Sequence, residues 1–154
     1  MTSSTSWIVA GVLAGALSLW LAKLQAKRLA ERWPAYEAQV WGIALLVAAA
    51  IYVGFALLNG ADTRWTGIEF AGLAVYGLVA LVGIKKWPLL LGPAWLAHSL
   101  WDQLLHAGGH PAFVPEWYVP LCMGFDIVVG ITLMATLRYK PKRAPFGFVK
   151  EPER

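Results

Sequence analysis

The stretch "HSLWDQLLHAGGH" places His98, Asp102, His106 and His110 at every fourth position. It contains every histidine of the chain. Residues four apart on a helix differ by about 40° around its axis, so His98, Asp102 and His106 share one broad face. Imidazole nitrogens and carboxylate oxygens in that arrangement suit zinc, iron or manganese. Histidines at such spacings recur in metal sites built inside helical bundles. Two further acids, Glu69 and Asp126, interrupt otherwise apolar runs elsewhere in the chain.

Three chemistries fit these residue types. In the first, His98, Asp102, His106 and Asp126 hold a divalent metal. A metal-dependent hydrolase would then use Glu69 or Asp126 as its base, and an iron oxidoreductase would draw on similar ligands. In the second, the same groups pass protons or ions, as intramembrane Asp, Glu and His side chains do. In the third, they form a structural network in which each acid is paired with a histidine, tyrosine or tryptophan; Tyr76 and Trp101 are candidate donors. Cys122 reads as a small buried apolar residue before a ligand or redox thiol. Ser99 is poorly placed as a nucleophile beside His98, because consecutive helix residues do not face each other. There is no Gly-rich phosphate loop and no GxSxG.

The surrounding sequence decides where such a site sits. Hydrophobic residues make up 58% of the chain and charged residues 14%, against about 25% charged in soluble domains. That deficit indicates a membrane protein. The net charge of +4 does not indicate nucleic acid, because the basic residues fall in short runs between apolar segments. A single cysteine excludes an internal disulfide framework. A helix needs about 20 apolar residues to cross a bilayer, and five segments qualify: about 7–25, 38–58, 65–84, 87–106 and 117–137. Twelve of the 13 lysines and arginines fall on one side of these spans, with Arg64 alone on the other. The positive-inside rule then puts the N-terminus out, the C-terminus in, and a basic tail, 138–154, in the cytoplasm. The first span has no basic segment before it, so it reads as an uncleaved anchor and not as a signal peptide. Its Gly11 and Gly15 form a GxxxG that suits close packing within the bundle more than homodimerisation.

Relative depth follows from about 1.5 Å of rise per residue. Asp126 falls level with His98, Cys122 level with Asp102, and Glu69 level with Asp102 or His106. Three helices thus bring ionisable groups to the same, outer half of the bundle. The loop "AGGHPAFVPE" caps that half, with Gly108 and Gly109 ending the fourth helix and Pro111 and Pro115 stiffening the turn. His110 is then off the helix, either folding back as a lid or facing water.

At "HSLWDQLLH" and "VPEWYVPLCMGFDIVVG", over 97–130, the chain resembles a family of small multi-pass bacterial membrane proteins of unknown function. The resemblance rests on a His-x-x-x-Asp-x-x-x-His run followed by a Trp-Tyr-x-Pro-x-Cys-x-x-x-Asp run. It carries His98, Trp101, Asp102, His106, Trp117, Tyr118, Pro120, Cys122 and Asp126. The chain departs from the family pattern at Ala107, where that pattern has a second histidine. The resemblance implies that the His/Asp set is a family feature, and it implies no activity.

The expectation is therefore an all-α polytopic protein: one membrane domain, 1–154, of five spans in a bacterial inner membrane. Its buried site binds a divalent metal and acts on a lipid or other apolar substrate. A proton or solute transporter, or a small accessory subunit of a larger membrane complex, is the alternative. Membrane lipids are the expected surroundings, a homo-oligomer is open, and nucleic acid is not a partner. The absence of an inverted repeat and the odd number of spans argue mildly against transport.

Overall fold

Each of the five apolar runs becomes an α-helix. The computed structural model describes residues 2–29, 35–107 and 112–137. Along the chain these form α1 (Thr2–Leu29), α2 (Tyr36–Leu58), α3 (Thr63–Lys85), a 3-10 turn (Pro88–Leu90), α4 (Leu91–His106) and α5 (Tyr118–Thr136). No strand occurs among the described residues. His110, its neighbours Gly108, Gly109 and Pro111, and the tail 138–154 lie outside them.

Four helices, α1, α2, α3 and α5, are long and apolar enough to cross a membrane. The segment expected as the fourth span, 87–106, is built differently. Its first residues form the 3-10 turn, and only 16 remain for α4. Pro88, at the start of that turn, lacks the N–H a continuing helix would need. Outward faces of the bundle are apolar, with Leu13, Leu17 and Trp20 on α1, Leu78 on α3 and Ile131 on α5 all exposed. Polar groups are inside. That inversion suits a hydrocarbon surrounding.

Packing is set by small residues. α5 lies between α1 and α4, α2 packs on α3, and α4 also touches α2 and α3. At the α1–α5 crossing, a Cβ on Gly11 would overlap the Leu121 carbonyl, and one on Gly124 would overlap the Ile8 carbonyl. The GxxxG of α1 is thus used within the chain. At the α4–α5 crossing, a Cβ on Gly92 would come 2.9 Å from the Gly130 carbonyl oxygen. One on Gly130 would come 3.0 Å from that of Gly92. The two antiparallel backbones therefore meet almost directly, a turn or two from His98 and Asp126.

The end of the bundle where α3 and α5 begin is tied down by specific bonds. α2 ends at Leu58, and Gly60, two residues on, has a φ of 72°, the left-handed conformation of a helix terminator. The Ala61 N–H bonds the Ala56 carbonyl across this turn. Asp62 then caps α3, accepting from the Trp65 N–H at 2.8 Å. Asn59 donates its side-chain amide to the Phe113 carbonyl at 2.7 Å, pinning the segment before α5 onto this end. Phe113 and Val114 are buried there. Not every tryptophan is an anchor at a membrane surface: Trp41 and Trp95 are core residues, and the Trp95 indole N–H reaches the Trp41 carbonyl at 3.3 Å.

Candidate functional site

Among the described residues, the buried Asp, Glu and His side chains are Glu69, His98, Asp102, His106 and Asp126, all at most 3% exposed. α3 supplies one, α4 three and α5 one. An acid at such depth costs about 2.5–3.5 kcal/mol on insertion scales, so its partners matter.

The close α4–α5 crossing brings His98 against Asp126, Nδ1 to Oδ2 at 2.8 Å. An ionised Asp126 accepts this bond from Nδ1; in the other tautomer, with the proton on Nε2, the Nδ1 lone pair faces both aspartates. Asp102, one turn along α4, has Oδ2 3.7 Å from the same Nδ1. One ligand atom from each of His98, Asp102 and Asp126 lies within 4.8 Å of the others. Two ligand atoms on one tetrahedral zinc ion lie roughly 3.3 Å apart, so closing one coordination sphere needs the three side chains to draw together by up to about 1.5 Å. Both Asp102 oxygens are buried without a hydrogen-bond partner among the described residues. The Tyr52 hydroxyl of α2 lies against Asp102, close enough to interact with its carboxyl although outside strict hydrogen-bond geometry.

His106 does not join this triad. Its Nε2 lies 3.2 Å from Glu69 Oε1, outside hydrogen-bond geometry, and both its ring nitrogens lack a hydrogen-bond partner among the described residues. The Tyr52 ring lies flat against the imidazole, centroids 4.7 Å apart and 18° from parallel. Phe113 stands edge-on to it at 5.9 Å. The expected metal set of His98, Asp102, His106 and Asp126 thus falls into a triad and a separate His106–Glu69 pair. The two residues expected as bases are also split, Asp126 in the triad and Glu69 in the pair. Helical rise puts Asp126 level with His98 and Glu69 level with Asp102 or His106; the contacts pair Asp126 with His98 and Glu69 with His106.

Tyr52 is the residue that sequence reasoning missed. Its signal was slight: one hydroxyl in the middle of an apolar run. Tyr76, a candidate donor, makes no hydrogen bond to the acids; its ring stands edge-on to His98 at 5.0 Å. Trp101 turns away from Asp102 and seats against Gly72 of α3, where a Cβ would come within 3.0 Å of its ring. Cys122 is buried, in a cluster with Tyr52 and Tyr118.

Two spaces flank the site. A cleft of about 430 Å³ opens beside His106, with Ile8, Val119 and Met123 on its apolar side and Gln103 and Glu116 among its polar groups. On the other side, a gap with no room for a water molecule lies between Glu69, Tyr52, Tyr76 and His98.

Residues 7–138 match a family of unknown function, DUF6010. The chain belongs to that family. The match takes in all five helices apart from the first residues of α1, beyond the last two spans on which the sequence resemblance rested. No curated protein and no solved structure matches the chain. Membership brings no activity, so the functional reading rests on the geometry of the site.

Proposed function

We propose that this protein is an intramembrane metal-binding protein whose His98, Asp102 and Asp126 hold one divalent ion, zinc, iron or manganese, between α4 and α5. The observation that carries the reading is Asp102. A fully buried carboxylate whose polar neighbours, the Tyr52 hydroxyl and His98 Nδ1 at 3.7 Å, both fall outside strict hydrogen-bond geometry is under-compensated, and a cation at that point removes the cost. Charge supports the same reading: two carboxylates and a neutral imidazole balance a divalent ion.

The site lies in a five-span bundle with its N-terminus out, in a bacterial inner membrane. The 3-10 turn and α4 together extend about 30 Å, close to a hydrocarbon core. The basic residues favour this orientation. A metal-dependent reaction on a lipid or other apolar substrate is the extension of this reading. The half-apolar cleft beside His106 supports it, with Glu69, in contact with His106, in the role of base.

Protein purified in detergent, stripped with chelator and incubated with zinc, iron(II) or manganese should retain about one ion per chain by elemental analysis. Asp102→Ala and Asp126→Ala should each reduce that sharply. Wild-type protein that retains none of these ions sinks the proposal. One observation favours a second reading, a proton relay: titratable side chains follow one another from the cleft at His106 to Asp126. Proton flux in liposomes abolished by Asp126→Asn, without metal binding, would select it.

A further inference from the structure

The triad leaves His106 and Glu69 unexplained. They come from opposite helices, and His106 Nε2 and Glu69 Oε1 are 3.2 Å apart. Neither atom has a hydrogen-bond partner among the described residues, and both side chains are at most 3% exposed. Two ligands on one tetrahedral zinc ion lie roughly 3.3 Å apart. The pair is a buried ion-pair contact outside hydrogen-bond geometry, and its spacing is also that of two ligand atoms on one ion.

Its position is equally specific. His106 borders the open cleft. Glu69 borders the narrow gap that it shares with His98. Tyr52 joins the two stations, since its ring stacks on His106 while its hydroxyl faces Asp102. Glu116 and Gln103 add acceptor oxygens on the cleft side.

We propose that His106 and Glu69 form the port through which a divalent cation passes from the cleft to the His98, Asp102 and Asp126 centre. This rests on the metal reading above. One imidazole and one carboxylate bind a divalent ion with charge left over and coordination positions unfilled. The triad offers a second carboxylate and balances the charge, so the ion moves inward. The gap between the stations holds no water, so the ion sheds its hydration at the port, and the side chains there part to let it through.

A port alters the barrier between cleft and centre and leaves the two end states alone. Loading and release therefore slow by the same factor, while affinity is unchanged. Metal-free full-length protein in detergent is mixed with cobalt(II), whose visible absorbance reports coordination at the centre. Release is followed after addition of excess chelator. Glu69→Gln should slow loading and release at least tenfold, with the final absorbance and one-ion stoichiometry of wild type. His106→Gln, on the opposite helix, should do the same, and Glu69→Asp should recover part of the rate. Helicity and melting temperature identify a variant that has failed to fold, and the other two variants then decide. Wild-type rates in folded Glu69→Gln and His106→Gln overturn the port alone. Loss of stoichiometry in both overturns it as well and makes them ligands. If wild-type protein takes up no cobalt, the centre falls and the port falls with it.

Discussion

Asp102 is the residue on which the site turns. Its carboxyl is buried between Tyr52 and His98, and neither oxygen has a hydrogen bond among the described residues. His98 has already directed Nδ1 to Asp126 at 2.8 Å and stands 3.7 Å from Asp102. In metal-free protein the ionised form of Asp102 is therefore under-compensated, so replacing the carboxyl by an amide has two opposite effects. Asp102→Asn should abolish stoichiometric metal binding and yet raise the melting temperature of the metal-free protein, by the equivalent of about 1–3 kcal/mol. Thermal melts of stripped wild type and variant in the same detergent test this. An unchanged or lower melting temperature would show the carboxyl to be already neutral or partnered, and would take away the reason for placing a cation there. The sequence exposed Asp102 through its four-residue spacing from two histidines. It did not expose which histidine would be near, because that depends on how α3 and α5 rotate against α4.

At the scale of elements, the triad exists because α4 and α5 touch through Gly92 and Gly130. A methyl group at Gly92 would come within 2.9 Å of both the Gly130 carbonyl oxygen and the Met134 amide nitrogen. Those are backbone atoms, so the helices themselves must separate. Gly92→Ala should therefore destabilise the fold by about 1–3 kcal/mol. It should also weaken metal retention, since His98 and Asp126 are held together by this crossing. Gly54→Ala in α2 is the control: nothing lies within 4 Å of its added carbon, so it should be neutral or stabilising by up to about 1 kcal/mol. Equal melting temperatures for the two variants would dismiss the crossing as the positioning device. Helix positions were legible in the sequence to within a few residues at most ends, because runs of about 20 apolar residues leave few alternatives. α4 was less legible. Pro88 delays its start to Leu91, so the segment becomes a 3-10 turn followed by a 16-residue helix. Pairing of helices was not legible, since apolar faces exposed to lipid and to protein look alike in composition. Here Gly11 and Gly124 decide that α1 sits on α5.

For the whole molecule, the chemistry depends on which side of the membrane the cleft faces. The cleft lies at the end where α1, α3 and α5 begin and α2 and α4 finish. Twelve of 13 basic residues lie toward the opposite end in the five-span reading. An outward cleft would draw its cation and any amphiphilic ligand from outside the cell or from the outer leaflet. An inward cleft would draw on a tightly buffered cytoplasmic metal pool. The chain is well suited to a direct measurement, because its one native cysteine, Cys122, is buried and should not react with a membrane-impermeant maleimide. Glu116→Cys puts a thiol on an exposed position at the cleft end. It should be labelled on intact cells by an impermeant maleimide, whereas a cysteine at Lys86, exposed at the other end of α3, should be labelled only after permeabilisation. The reverse pattern would turn the bundle over and place the cleft in the cytoplasm. Labelling of both positions on one side would mean that the segment between them, the 3-10 turn and α4, does not cross, and the five-span reading would fall with it.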